Sequence, residues 1–293
     1  MRAAMILCAG LGTRLRPLTE WLAKPMVPVG DAPAVGLIAA QLRRAGLEHL
    51  VVNVHHRSGD VRAWAEREAV LVSEEPELLG TAGGLEHAAS LLGPGDVLVW
   101  NGDILADLDA RGLVATHESS GAVATLAVVR RAAGEGNVGI AADGHVVRLR
   151  REVFGDESAG ADFIGVHVLG GGLRTMLPAN GCLVGDVYIP ALRSGARVAT
   201  HAVESSFVDV GSLAQYVAAN RAWLAARGEA SWVAQDAVVT GRVDGSVIGA
   251  GARVEADAIR CVVWPGAHVS NRVEDAVVTP QGVVLVAPDV SAA

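Results

Sequence analysis

From Ala3 to about Trp100, short apolar runs closed by Gly and Pro alternate with segments whose apolar residues recur at helical spacing. The runs Ala3–Cys8 (AAMILC), His49–Val54 (HLVVNV), Ala69–Val72 (AVLV) and Asp96–Trp100 (DVLVW) predict buried strands. Between them, Val35, Ile38, Ala39, Leu42 and Ala45 share one face of a helix expected over 34–45 and stopped by Gly46. Further helices are expected over 61–68 and 82–92, the second with Thr81 as its N-cap. Strand and helix in alternation imply a parallel sheet covered on both faces, joined by right-handed crossovers.

After Asp103 the pattern changes. A helix over about 108–119 leads into apolar runs at 122–130, 138–141, 145–149 and 163–169, close enough together, with turns such as Asp143-Gly144, to add hairpins to the sheet. A short helix is expected within 185–192 and a strand over 197–203. Ser212-Leu-Ala-Gln is a capping box that opens a helix running to Arg227, with Gly228 behind it. The fold class is therefore α/β: a Rossmann-like mixed, mostly parallel sheet with helices on both faces.

From about Ser231 the grammar is different. Aliphatic residues fall roughly every sixth position, as at Ile248 and Val254, then Val263 and Val269, with Gly, Ala and Asn between. That hexad spacing predicts two to three coils of a short left-handed parallel β-helix, with a plain three-stranded sheet as the alternative. Domains are accordingly expected at 1–228 and 229–293.

Of the 293 residues, 51% are hydrophobic and 19% charged, enough apolar surface for a large core. The formal net charge of −8 supplies no basic field for nucleic acid or anionic lipid. No apolar run reaches membrane-spanning length, and no secretory leader precedes the first strand, so a cytoplasmic location is expected. Cys8, Cys182 and Cys261 are odd in number and lack metal-site spacing, which argues against disulfides and structural zinc. Lys24 is the single lysine among 24 basic side chains, the rest being Arg. A compact ammonium is thus singled out at one position.

Lys24 lies just beyond the loop Ala9-Gly10-Leu11-Gly12-Thr13-Arg14 that leaves the first strand. Glycines there let backbone N–H groups approach a phosphate, and Arg14 adds a positive fork. Leu15 stands where a dinucleotide fingerprint needs its third glycine, and no P-loop sequence follows. Taken as a whole, A-G-L-G-T-R-L-R-P-L-T followed by K-P-M-V-P-V resembles the signature of the sugar-1-phosphate nucleotidylyltransferases, departing from it at Leu11 and Ala23. Leu79-Gly80-Thr81-Ala82-Gly83-Gly84 and Val99-Trp100-Asn101-Gly102-Asp103 resemble two further family patches. Phe207-Val208-Asp209-Val210-Gly211-Ser212 matches a third.

The resemblance implies NTP and sugar 1-phosphate as substrates and Mg²⁺ as cofactor, with Arg14, Lys24 and Asp103 catalytic and Asp103 and Asp209 binding the metal. It assigns substrate contacts to Ala9, Gly10, Leu11, Gly12, Thr13, Gly80, Thr81, Ala82, Gly83, Asn101, Asn137 and Gly139. Taken without it, Asp103 also reads as a polar cap, Asp209 as an acid complementing a helix dipole, and Thr81 as a helix cap. His55 and His56 read as a polar strand terminus, and Glu74 and Glu75 as a solvated loop. The second lysine that many relatives carry is missing, so either Arg150 or Arg151 takes its place or the sugar phosphate is held differently. Leu-Gly-Thr-Ala-Gly and the tail point to mannose-1-phosphate guanylyltransferase, and His55 and the Asn-Gly-Asp triplet to N-acetylmuramate α-1-phosphate uridylyltransferase. A non-catalytic nucleotide-sugar-binding regulatory homologue is the alternative of another class. A homo-oligomer assembled through the tail is expected, and truncation at 231 is expected to alter solubility or oligomeric state more than chemistry.

Overall fold

A computed structural model describes residues 3–204 and 207–286, and the final residues of the expected second domain lie outside that range. The chain divides into two compact units, Met1–Gly10 with Ile38–Phe207, and Leu11–Leu37 with Val208–Ala293. The segment 11–37 therefore groups with the C-terminal residues.

The first unit is built on a ten-stranded sheet. Val97–Asn101, Ala3–Leu7, His49–Val54 and Leu71–Glu74 lie side by side and parallel, with Ala3 opposite both Val97 and His49. Val97–Asn101, Ala3–Leu7 and His49–Val54 are buried almost throughout, which is why they read as unbroken apolar runs, whereas Leu71–Glu74 at the end of the row buries only Ser73. Ala159–Leu169 runs antiparallel to Val97–Asn101 and also pairs with Ala124–Arg131 and Val138–Ile140, so the sheet is mixed. Met5, Val51, Leu85, Val99, Leu126 and Tyr188 belong to one buried cluster.

Several expected elements shift for local reasons. The run placed at 69–72 becomes a strand at Leu71–Glu74, because Ala69 adopts a left-handed turn (φ 53°) and Val70 N–H is still bonded to Ala65 O in the preceding helix. The helix expected over 82–92 is two helices, Gly80–His87 and Ala89–Leu92. Thr81 is not its N-cap; that position is Leu79, with no side-chain bond. The helix within 185–192 is a π-turn, Leu183–Tyr188, running into Ile189–Arg193.

In the second unit, Ser212 caps the helix Leu213–Arg227 as expected, its Oγ accepting from Gln215 N–H at 3.3 Å, and Gly228 ends it at φ 67°. Tyr216, Asn220 and Trp223 stand one and two turns apart on this helix and hold the small hairpin of Pro28–Val29 and Ala32–Pro33. The Tyr216 hydroxyl donates to Pro28 O at 2.6 Å, and Asn220 Oδ1 accepts from Gly30 N–H at 2.9 Å. Gly30 sits at φ 63° with the Trp223 ring where a Cβ would lie, so glycine is required there twice over.

The tail winds through three parallel ladders in turn. Trp232, Val247, Val262 and Val277 face one another on one ladder, Val238, Arg253 and His268 on the second, and Val243, Ala258 and Val273 on the third. The period is 15 residues, as in the bond from Cys261 N–H to Ser246 Oγ. The expected hexad therefore holds on one side only: buried Ile248, Val254, Ile259 and Val263 are spaced unequally along the chain. The cause lies in the corners. Gly245, Arg260 and Asp275 repeat a left-handed residue at φ 58°, 52° and 47°, and the corner shortens that side of the coil.

Candidate functional site

In the first unit the functional candidates collect at the C-terminal ends of the parallel strands, where open α/β sheets bind ligands. Cys8 N–H donates to the buried Asn53 Oδ1 at 2.7 Å, fixing the start of the first loop, while Ala9 is buried and Gly10 opens onto free space. One strand over, Gly102 N–H donates to Leu7 O at 2.9 Å. A Cβ at Gly102 would meet Leu7 O at 2.7 Å and Cys8 Sγ at 3.0 Å, so the Asn-Gly-Asp turn lies directly against the end of the first strand. Buried Trp100 pins that turn by donating from Nε1 to Ile104 O at 2.8 Å. Asp103 is consequently held beside Cys8: burial, and then the Asp103 charge, push the Cys8 thiol up. The Asn101 amide packs over Gly165, which has a left-handed φ of 81° and no room for a side chain.

Residues 80–83 form a joint. Gly181 O accepts from Ala82 N–H at 2.9 Å, and Thr81 Oγ1 accepts from Leu183 N–H at 2.8 Å. A Cβ on Gly83 would meet Ala179 O at 2.5 Å, and one on Gly80 would strike Gly181 O. Each of the four residues Gly80, Thr81, Ala82 and Gly83 is thus occupied, at least in part, in seating the segment 179–183. Glu75, expected on a solvated loop, is buried: Asn53 Nδ2 donates to its Oε1 at 2.6 Å and Leu79 N–H to its Oε2 at 3.2 Å. Asn53 and Glu75 therefore tie the first loop to the second patch, a connection that sequence reading missed. Its one signal was the amide inside the apolar run His49–Val54. His55 Nδ1 is bonded to Glu75 O at 3.0 Å, in keeping with a strand terminus.

Asn137 Oδ1 accepts from Phe163 N–H at 2.9 Å, and Asn137 O accepts from Arg150 N–H at 2.7 Å. Gly139 leaves room for the Arg148–Glu157 ion pair at 2.7 Å. Arg148 is thereby committed to Glu157. Arg150 adopts φ 56° and donates from its guanidinium to Cys182 Sγ at 3.3 Å. Burial raises the Cys182 thiol, but bonds from the backbone of Gly185 and Val184 and from Arg150 outweigh it and draw the thiol below its usual value.

In the second unit, Leu11 is exposed and Gly12 takes φ 63°, opening the short 3₁₀ turn Thr13–Leu15. Lys24 begins another, Lys24–Met26. The Lys24 stem lies over Gly12, where a Cβ would meet Lys24 Cβ at 3.0 Å and Thr19 Cγ2 at 2.8 Å, and Thr19 Oγ1 donates to Gly12 O at 2.9 Å. Arg14 reaches to 3.9 Å from Asp209 Oδ2. Gly211 lies under both, its would-be Cβ 3.0 Å from Asp209 Oδ1 and 3.1 Å from the Arg14 guanidinium. Gly12, Arg14, Lys24 and Asp209 thus lie in one unit, and Asp103, Asn101 and the 80–83 joint in the other.

Among the described residues no three His, Cys, Asp or Glu side chains cluster as a metal site, the cysteines are free, and no helix is long and apolar enough to cross a membrane. A cavity of about 770 Å³ in the first unit is lined by Asp96, His117, Gly170, Leu173, Val187 and Ala191. It sits at the opposite end of the strands from Asn101, and no residue of the family-like patches lines it.

The family profile "Nucleotidyl transferase" matches residues 3–150, just over half of the chain. A mannose-1-phosphate guanylyltransferase of Mycobacterium tuberculosis is 34% identical over 134 residues, covering 43% of this chain and 37% of that protein. N-acetylmuramate alpha-1-phosphate uridylyltransferases are similar too: that of Neisseria meningitidis at 37% identity (40% of this chain, 53% of that protein) and that of Caulobacter vibrioides at 35% (57% and 74%). The chain thus spans between about a third and a half of the length of the first two of these relatives. HddC from Yersinia pseudotuberculosis, solved with GMP-PN, shares the fold at a TM-score of 0.63 and 21% identity, over 76% of this chain and 100% of that one.

Proposed function

Because the chain belongs to the nucleotidyl transferase family, we propose that it transfers a nucleotidyl group from a nucleoside triphosphate to a sugar 1-phosphate, with GTP and mannose 1-phosphate as the preferred pair. The observation that carries this reading is the first loop itself. It carries Arg14, and its Gly12 leaves room for the stem of a second cation, Lys24, to pack against it. A phosphate oxygen of the sugar attacks the α-phosphorus, the bond from that phosphorus to the bridging oxygen breaks, and pyrophosphate leaves. Two polyanions must meet, so the work is charge cancellation and in-line positioning. Arg14 and the backbone N–H groups of residues 9–13 take the leaving pyrophosphate, and Lys24 neutralises charge that grows in the transition state. No general base is required, since the attacking phosphate is already ionised at neutral pH.

The donor chemistry suits Mg²⁺. Asp103 and Asp209 offer hard carboxylate oxygens, and Mg²⁺ favours one or two carboxylates with the remaining positions left to phosphates and water. These two residues would hold the ion, which when bound withdraws charge from the phosphate oxygens. The 80–83 patch with Asn101 faces the nucleoside, and Asn137, Gly139 and Arg150 the sugar phosphate. Of the two arginines weighed for the absent lysine, Arg150 is favoured because its guanidinium is fixed at Cys182.

A uridylyl donor with N-acetylmuramate 1-phosphate is the second reading, favoured by the Caulobacter relative, of which the chain covers 74%. We take residues 1–228 as the catalytic domain and 229–293 as a left-handed β-helix through which copies associate. A pyrophosphate-release screen of the common NTPs against a panel of sugar 1-phosphates with Mg²⁺ tests the proposal. GTP with mannose 1-phosphate is expected to react fastest. A uridylyl pair in first place selects the second reading, and silence from every pair leaves the regulatory homologue.

A further inference from the structure

Segment 11–37, which carries Arg14 and Lys24, is tied at its far end to the helix Leu213–Arg227, and that helix in turn is bonded to the coiled tail. One buried hydroxyl takes part in both links. Trp264 Nε1 donates to Tyr216 Oη at 2.9 Å, and Tyr216 Oη donates to Pro28 O at 2.6 Å. Tyr216 and Trp264 are both buried. An indole N–H can only donate, so the phenol oxygen must accept from it, and the phenol proton is left to point at Pro28 O.

Pro28 has no N–H, which makes its carbonyl the one main-chain handle at that residue. Just before it, Met26 N–H donates to Ala23 O at 2.8 Å and Val27 N–H to Lys24 O at 3.3 Å, so the bonded turn that presents Lys24 ends directly on the handle. Asn220 grips Gly30 two residues on. We propose that Trp264 and Tyr216 are positioning residues, through which the C-terminal coils hold the Lys24 turn in register for phosphoryl chemistry. This inference rests on the transferase reading and revises the expectation that the tail matters little to the chemical step.

The test uses the full-length chain with Trp264→Phe, Tyr216→Phe and, as control, Arg221→Ala, which breaks only the exposed Arg221–Asp275 pair between the same helix and the tail. Assayed well below their melting temperatures, both aromatic variants are expected to lose about tenfold in kcat, while the control keeps its rate. Combined with Lys24→Arg, Trp264→Phe is expected to cause little further loss. A merely structural joint would lower the melting temperature and leave that coupling absent. Unchanged kcat, or full additivity with Lys24→Arg, overturns the proposal. If Trp264→Phe does not fold, the Tyr216→Phe cycle decides; if neither folds, the joint is structural only and the proposal falls. An inactive wild type counts instead against the transferase reading. The relay is then judged by hydrogen exchange: amides of residues 23–30 should exchange faster in Trp264→Phe, and unchanged rates sink it.

Discussion

A lysine surrounded by a chain of arginines is a compact, strongly hydrated point charge where the sequence otherwise uses a planar fork. Its stem is packed against Gly12, so a guanidinium on a longer arm would arrive displaced. Lys24→Arg is expected to lower kcat/KM by about 10-fold or more, read from steady-state kinetics. Asp103→Asn keeps shape and removes charge, and is expected to lose most turnover while nucleotide affinity, measured by calorimetry, changes less. Far from these residues, His167 is buried with neither ring nitrogen hydrogen-bonded, stacked on Phe163 at 5.4 Å and edge-on to Tyr188 at 5.5 Å. Burial lowers its pKa to about 3. The folded value lies below the unfolded one, so the contribution of neutral His167 is complete above about pH 6.5 and is lost as pH falls from there towards 3. The slope is about 1.4 kcal/mol per pH unit within that window. Urea titrations at pH 7 and pH 5 should show it in the wild type and a weaker dependence in His167→Leu.

At the scale of elements, the helix Gly80–His87 and the segment 179–183 fit by the absence of side chains. A Cβ on Gly83 would press on backbone, not on a yielding side chain, 2.5 Å from Ala179 O. Gly83→Ala is therefore expected to cost about 1–3 kcal/mol in thermal or chemical unfolding and to raise the KM for the nucleotide. The pattern Leu-Gly-Thr-Ala-Gly-Gly is visible in one dimension, but not its contact with 179–183, which joins residues a hundred positions apart. The same limit applies to Glu75. A charged pair before a proline reads as solvated loop, and only the fold shows Asn53 and Leu79 N–H turned towards its carboxylate.

For the molecule as a whole, truncation after residue 230 removes Trp264 and uncovers the Tyr216 face of the helix. The shortened chain is expected to melt at lower temperature and turn over more slowly, and to change mass in solution if copies associate through the tail; calorimetry, kinetics and light scattering separate the three effects. The order of strands and helices, the capping of Leu213–Arg227 and the loop with its lone lysine were legible because each is local: apolar period, cap chemistry and turn glycines act within a few residues. The period of the tail was legible in kind but not in length, since left-handed corners at Gly245, Arg260 and Asp275 set 15 residues per coil, and a non-glycine in that conformation leaves no clear mark in sequence. Grouping 11–37 with the C-terminal residues, burying Glu75 and joining Trp264 to Pro28 through one phenol were decided in three dimensions alone. Each depends on a hydrogen bond or a void shared by residues distant along the chain, and such a contact exists only once the burial of apolar surface has brought its two ends together.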